Sequence, residues 1–354
     1  MEDELTSVMS SEQDFTLVDP TEKTPVEVTH LTTGSSMTSW SSRGAGFYFQ
    51  CAVLVVAVAG AAANALVLYA MVASKQHKKH VLILNQNVLD LVNCLFLVVA
   101  TPMELNNIYL SGKSGYWLCL TFLSYAGSWA GNLGPLVNLA AISIERYLKV
   151  VHHVWAKNKL RNWIIYSAMA LAWIIGIGVA IALTIPSAAV VNGVCYAGII
   201  FLRDETVCQA ITIWDFLSFY VIILLIFLFC YGRILVIIRR QAHVMAAHSG
   251  QPSSTNQDQS NKIQTSVIKT MILVSGLYAV TWGPMYIYTQ LNTFHSVLMN
   301  DQTGLYTVLS IGYIYICTNP FIYATKFDPV KRVLLNLIPF KKNNTQASQT
   351  GGCA

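Results

Sequence analysis

Long stretches of this chain carry no Asp, Glu, Lys or Arg. Residues 44–74, 114–144, 162–202, 216–232, 270–300 and 302–325 have none, and 81–103 has only Asp90. A bilayer core of roughly 30 Å is crossed by about 20 apolar residues in a helix, which rises about 1.5 Å per residue. The run at 162–202 is too long for one crossing and contains Pro186, so it reads as a helix to about Ser187 followed by a loop. The run at 216–232 is short, but Ile234, Leu235, Val236, Ile237 and Ile238 extend it past Arg233. The pattern predicts seven spans. The runs are continuous and rich in Ala, Leu and Ile, whereas lipid-facing barrel strands alternate. Helices are the other way to satisfy backbone polar groups in lipid. The predicted fold is all-α, a seven-transmembrane helix bundle.

Composition agrees. Only 11% of the 354 residues are charged and 54% are hydrophobic, where a soluble protein carries roughly 25% charged residues. Mean hydropathy is +0.50. This excludes a disordered tail, a collagen-like fibre and a disulfide-stapled mini-protein, and argues against a cytosolic enzyme. Neither a Gly-rich phosphate loop nor an HExxH motif occurs, so no enzyme is expected. A net charge of +5 does not imply nucleic acid.

Charge placement sets the topology. Of the 22 basic residues, 18 follow the first and seventh spans or lie between the third and fourth or around the fifth-to-sixth connection; only Lys23, Arg43, Lys113 and Arg203 fall on the other side. The positive-inside rule puts the 18 in the cytoplasm. The expectation is a multi-pass plasma-membrane protein with its N-terminus extracellular and its C-terminus cytoplasmic. Residues 1–43 form an acidic, Ser/Thr-rich outer tail without a basic n-region or apolar h-region, so the first span should act as its own insertion signal. The sequon at Asn343 lies on the inner side and should be silent. The polar stretch 241–262 and the end 343–354 read as flexible segments, and His77, His80, His152, His153, His243 and His248 as solvated interfacial residues. No internal repeat occurs, which weakens a duplicated transporter.

Polar groups within a span are functional candidates. Asp90, deep in the second span, is the main one, with Asn64 and Asn319 as possible hydrogen-bond partners. Pro284 and Pro320 should kink the sixth and seventh spans.

At this point the residues resemble a known family. Asn64, Leu89-Asp90, Glu145-Arg146-Tyr147, Trp173, Trp282-Gly283-Pro284 and Asn319-Pro320-Phe321-Ile322-Tyr323 occur in order, one set per appropriate helix. The chain resembles rhodopsin-like (class A) G-protein-coupled receptors over roughly residues 44–340. The resemblance implies that Arg146 meets the G protein, that Trp282 is a rotamer switch above the kink at Pro284, and that Tyr323 swings inward towards Tyr231 on activation. It implies an allosteric sodium ion at Asp90 and Asn319, with no other cofactor. The segment from Phe327, with Val330, Val333, Leu334 and Leu337 on one face, fits the family's short amphipathic eighth helix on the membrane surface. The expected organisation is the tail 1–43, a bundle over 44–326, the surface helix 327–340 and a cytoplasmic tail 341–354.

The chain also departs from the pattern. Ile223 replaces a common proline, so the fifth helix is expected to lack its bulge. Gln264 stands where an acidic partner for Arg146 is often found. Pro135, together with the long interval from Cys119 to Arg146, predicts a distortion in the third helix. The resemblance implies a disulfide from Cys119 to the second outer loop, where Cys195 and Cys208 both qualify. A hairpin over Val194 to Ile211, turning near Arg203-Asp204-Glu205, favours Cys208. Cys51, Cys94, Cys230 and Cys317 read as small apolar residues within helices, and Cys353 lies near the C-terminus.

Counting from the motifs places Tyr125, Ser128, Trp129 and Asn132, then Trp282, Met285, Tyr286 and Thr289, then Tyr306, Ser310 and Tyr313, around a ligand pocket. Ser128 stands where amine receptors carry an aspartate and Tyr313 where opsins carry the retinal-binding lysine, which disfavours a monoamine and retinal. A peptide or a neutral small molecule remains as extracellular ligand. The expected function is transduction of that ligand to a heterotrimeric G protein, with membrane lipids as the other partner and no nucleic acid. The alternatives are a transporter or channel, or a seven-helix scaffold that does not couple.

Overall fold

The computed structural model describes residues 44–124, 126–185, 188–197, 205–247, 255–295 and 302–337, without the side chains of 126–129, 241–247, 255–267, 295, 302 and 328. The tails 1–43 and 341–354, Tyr125 and Cys353 lie outside the described residues, as do the side chains of Ser128, Trp129 and Gln264.

The first span is Ala45–Ala73 and the second Val81–Leu105. The third is Ala126–Val151 and the fourth Asn162–Thr184. The fifth runs over Glu205–Asp215, Phe216–Val221 and Ile222–Ala247. The sixth is Thr255–His295 and the seventh Gln302–Lys326. Among the described residues six helices are long and apolar enough to cross a membrane. The third, with Asn132, Asn138, Ser143 and Glu145 along its length, is the one that falls short. The polar stretch 241–262, read as flexible, is helical at 241–247 and 255–262, as extensions of the fifth and sixth helices.

Burial is inverted relative to a soluble protein. Val55, Leu228 and Val280 are 69%, 71% and 71% exposed, while Asn64, Gln86, Asn87, Asn138 and Asn319 are fully buried. A helix surrounded by hydrocarbon gains nothing by hiding Val or Leu, but it must hide and pair its amides. Close helix approach then rests on small residues. Fourth-helix Gly176 sits against third-helix Gly134, so that a Cβ at 176 would lie 3.0 Å from the Gly134 Cα and backbone N.

Two helices contain a wider, π-type turn. In the third-helix region Gly112–Leu118 leads into a π-turn at Cys119–Leu123, Ser124 is extended (φ −79°, ψ 158°), and the long helix starts afresh at Ala126. The distortion expected near Pro135 therefore lies on its N-terminal side, and the helix holding Pro135 is continuous. In the fifth helix Phe216–Val221 is a π-turn. The expectation that Ile223 removes the bulge is corrected, because a π-turn needs one extra residue and no proline. Tyr278 of the sixth helix donates to the Phe219 carbonyl in that turn (3.0 Å).

The connection from the fourth to the fifth helix forms a hairpin of β1 (Ala188–Val191) and β2 (Val194–Ala197). It turns on Asn192-Gly193, both with positive φ, the left-handed region that favours Asn and Gly. Val194–Ala197 pairs with the preceding strand and residues 205–211 are helical, so the expected hairpin over Val194 to Ile211 is corrected, and with it the preference for Cys208; Arg203 and Asp204 lie outside the described residues. Cys195, on β2, is bonded to Cys119, with Cα atoms 5.4 Å apart. Cys208 has been absorbed into the fifth helix and is free of disulfide. The last helix, Asp328–Leu337, buries Val330 and packs the half-buried Val333 and Leu334 against the bundle, and leaves Leu335, Leu337, Lys331 and Arg332 exposed.

Gly176→Ala should lower the thermal midpoint in detergent, by the equivalent of about 1–3 kcal/mol of overpacking. Gly178→Ala, two residues on with open space around it, should leave the midpoint unchanged or raise it. Equal midpoints for the two variants would remove the close-contact argument. Cys195→Ser should cost about 2–5 kcal/mol and Cys208→Ser far less. The reverse order in a thermal-shift assay would overturn the pairing.

Candidate functional site

Asp90 is 2% exposed near the middle of the second helix. Asn319 Nδ2 donates to its Oδ2 (2.9 Å) and Gln86 Nε2 to its Oδ1 (3.4 Å). Gln86 lies one helical turn before Asp90, on the same face. Its Oε1 accepts from third-helix Asn138 (2.8 Å), which also donates to the Leu82 carbonyl (3.0 Å). Asn85 donates to Asn138 Oδ1 (2.9 Å), and Trp173 Nε1 of the fourth helix donates to Asn85 Oδ1 (3.1 Å). One unbroken hydrogen-bonded path thus runs from the seventh helix through the second and third to the fourth. The expected partner Asn319 is in place. Asn64 is not bonded to Asp90: its Nδ2 donates to the Gly60 carbonyl one turn back. The Oδ1 atoms of Asn64, Asn93 and Asn319 are buried without a partner among the described residues.

A second cluster lies towards the end of the bundle that carries Arg146. Third-helix Ser143 shares a 2.7 Å hydrogen bond with fifth-helix Tyr231, and sixth-helix Ser275 donates to the Tyr231 hydroxyl at 3.5 Å. Tyr323 is 1% exposed and its hydroxyl has no partner among the described residues. Tyr231 is thus bonded to the third and sixth helices, and the approach of Tyr323 expected on activation is not tested by these contacts.

Arg146 is 6% exposed. Its Nε lies 3.3 Å from Glu145 Oε2, and its Nη2 donates to His80 Nδ1 at 3.0 Å. Glu145 also pairs with Lys149, one turn on. Tyr147 bonds to His152 (3.2 Å) and packs its ring 5.3 Å from Phe229. Burial and then the charges of Arg146, Lys149 and Lys79 push the His80 imidazole down to about 3. The reading of His80 as a solvated residue is corrected. It sits among lysines in sequence, but the chain turns there into the second helix and points the ring at Arg146.

The expected pocket residues fall into separate groups. Tyr286 packs on fifth-helix Tyr220 (4.9 Å) and Phe216 (6.2 Å). Tyr313 faces Phe49 of the first helix (6.3 Å), which stacks on Tyr306 (4.8 Å). Trp282 is half-buried and lies over Gly312 of the seventh helix, while Pro284 and Asn132 are half-buried too. The hydroxyls of Thr289 and Ser310 bond to their own helices, at the Met285 and Tyr306 carbonyls (2.9 and 2.7 Å). Pocket counting missed Asp215. It is 7% exposed, precedes the π-turn, and its Oδ1 has no partner among the described residues. The signal was in the sequence, as the acid that ends the apolar run from 216.

The helices crossing the membrane are thus joined inside by a continuous polar path and carry a buried arginine at one end. A sequence profile of the 7 transmembrane receptor (rhodopsin family) matches residues 63–323. The galanin receptor type 1 of Rattus norvegicus is 25% identical over 285 residues, 75% of this chain and 74% of that receptor. The somatostatin receptor type 4 of Rattus norvegicus is 24% identical over 80% of this chain and 70% of its own length. The C-C chemokine receptor type 8 of Mus musculus is 24% identical over 83% and 80%. The crystal structure of squid rhodopsin shares the fold, with a TM-score of 0.67 and 16% identity over 83% of this chain and 85% of that one. The chain belongs to the rhodopsin family of seven-transmembrane receptors. It is a multi-pass membrane protein and a G-protein-coupled receptor, and the transporter and channel readings are not favoured.

Asn138→Ala would strand the Gln86 acceptor and the Asn85 donor together, each costing about 1–3 kcal/mol. Trp173→Phe removes one bond at the end of the path, worth about 0.6 kcal/mol on average in membrane proteins. The thermal midpoint should fall much further for the first. Equal losses would show that the path does not act as a connected unit.

Proposed function

We propose that the receptor sits in the plasma membrane with its N-terminus outside, binds an extracellular peptide, and couples to a heterotrimeric G protein through Arg146. The observation that carries the coupling is the state of Arg146. A guanidinium at the basic end of the bundle, buried with one neutral and one acidic neighbour, is held where a movement of the helices around it would free it. Ligand binding would shift the bundle towards the state in which the sixth helix moves outward and Arg146 is exposed.

Relatives named for galanin, somatostatin and C-C chemokines support a peptide. Asp215 refines the reading. A buried carboxylate without a partner is costly, and a basic group on the peptide would supply one, next to Phe216, Tyr220 and Tyr286. An allosteric sodium ion at Asp90 is part of the proposal. The unpartnered amide oxygens of Asn64, Asn93 and Asn319 are the hard donors a small cation takes, and its charge would favour the ionised Asp90. Lipid contact at Leu335 and Leu337, beside the exposed Lys331 and Arg332, completes the reading.

The test is a peptide-library screen in cells carrying sensors for several G-protein classes, followed by Arg146→Ala. Hits should be peptides with a basic group, and the variant should bind them while losing G-protein nucleotide exchange. Exchange unchanged in Arg146→Ala would sink the coupling assignment, and hits without a basic group would remove the role given to Asp215.

A further inference from the structure

We infer that His80 is the positioning residue that holds Arg146 in the resting receptor. The inference rests on the reading of Arg146 as the G-protein contact. Guanidinium groups donate and never accept, so the 3.0 Å bond from Arg146 Nη2 requires a lone pair on His80 Nδ1. The imidazole is therefore neutral, with its proton on Nε2. A protonated ring in that place would set cation against cation.

The other contacts of Arg146 leave room for such a partner. Glu145 is its only ion-pair partner among the described residues, and Glu145 divides its charge between Arg146 and Lys149. The Arg146 Nε meets Glu145 Oε2 at ion-pair distance without hydrogen-bond alignment. His80 supplies the aligned bond. Its ring also stands edge-on to Phe327 (5.2 Å, 90°), which joins the seventh helix to the last one. His80 precedes the second helix at Val81. One side chain thus ties together the inner ends of the second, third and seventh helices. A bond to a neutral acceptor is weaker than one between ions, so the restraint is light and easily reversed.

The restraint is also sensitive to protons. The charged groups facing His80 are Arg146 and Lys149 from the third helix and Lys79 beside it, while Phe327 is neutral. Held against Arg146, the imidazole binds fewer protons than when released. The held state is therefore fully favoured above the ordinary histidine value of about 6.5 and loses ground as pH falls below it.

The experiment is ligand-free nucleotide exchange on purified heterotrimers of the major G-protein classes, with the full-length receptor in lipid nanodiscs. His80→Ala should raise exchange about threefold or more, the effect of losing one bond of ordinary strength. His80→Gln, whose amide oxygen can accept from Arg146, should stay near wild type. Acidification from pH about 7.4 to about 6 should raise wild-type exchange more than that of His80→Gln. Unchanged exchange in a folded His80→Ala receptor, or equal activation by the Ala and Gln variants, would overturn the inference. If Ala does not fold, nitrogen NMR of labelled histidine in the wild type decides: the Nε2–H tautomer at His80 supports the bond and the Nδ1–H tautomer refutes it. Arg146→Ala is run alongside. Its retention of wild-type ligand-free exchange would refute the role of Arg146 itself, whereas its loss of exchange together with a silent His80→Ala refutes His80 alone.

Discussion

Hydrocarbon offers no hydrogen-bond partner, and the rest of this structure follows from that constraint. Apolar side chains can face lipid or protein with little preference, so they do not by themselves say how helices should be rotated. Buried amides do. Asn138 contacts the Leu82 carbonyl, Gln86 and Asn85 at once, and a turn of the third helix in either direction would break all three. Asp90 and Asn319 fix the seventh helix against the second in the same way, and Trp173 fixes the fourth. Backbone irregularities obey the same constraint. The π-turn at Phe216–Val221 is matched by a tyrosine from the sixth helix, and Tyr220 within it reaches across to the Ala279 carbonyl (3.0 Å).

The two ends of the bundle are built on different chemistry. At the end opposite Arg146, aromatic rings dominate, with Tyr220, Phe216 and Tyr286 on one side and Phe49, Tyr306 and Tyr313 on another. At the Arg146 end a charged cluster of Glu145, Arg146 and Lys149 meets a histidine. The strongly bonded part lies between the two ends. A densely bonded middle suits a protein that must pass a small rearrangement from one membrane face to the other, because a packed middle shifts between discrete arrangements and does not deform continuously.

Much of this was readable from the chain. Charge-free runs located the spans, since a lone charge in hydrocarbon is expensive at any position. The pairing of Asp90 with Asn319 was foreseen, because two costly groups in neighbouring helices must find each other. The pairing of Asn64 with Asp90 was not realised, since an asparagine in a helix can satisfy its amide on its own backbone, and Asn64 does so at Gly60. Gln86 and Asn138 were passed over, as an amide in an apolar run says nothing about a partner 52 residues away. His80 was read as solvated because Lys78 and Lys79 precede it, yet its partner is 66 residues distant.

The disulfide shows where the division falls. Cysteine content and the resemblance restricted the partner of Cys119 to two candidates. The choice of Cys195 came from the tight Asn192-Gly193 turn, which puts Cys195 on the second strand and leaves Cys208 to the fifth helix. The sequence by itself determined the number of crossings, the asymmetry of charge and the family, because these depend on composition and order along the chain. Only the tertiary structure decided the rotation of each helix, the bond of Gln86 to Asp90, the bond partners of Tyr231 and Arg146, and the isolation of Asp215. Those depend on which faces meet, and a polar side chain in lipid takes whichever partner the packing brings within about 3 Å.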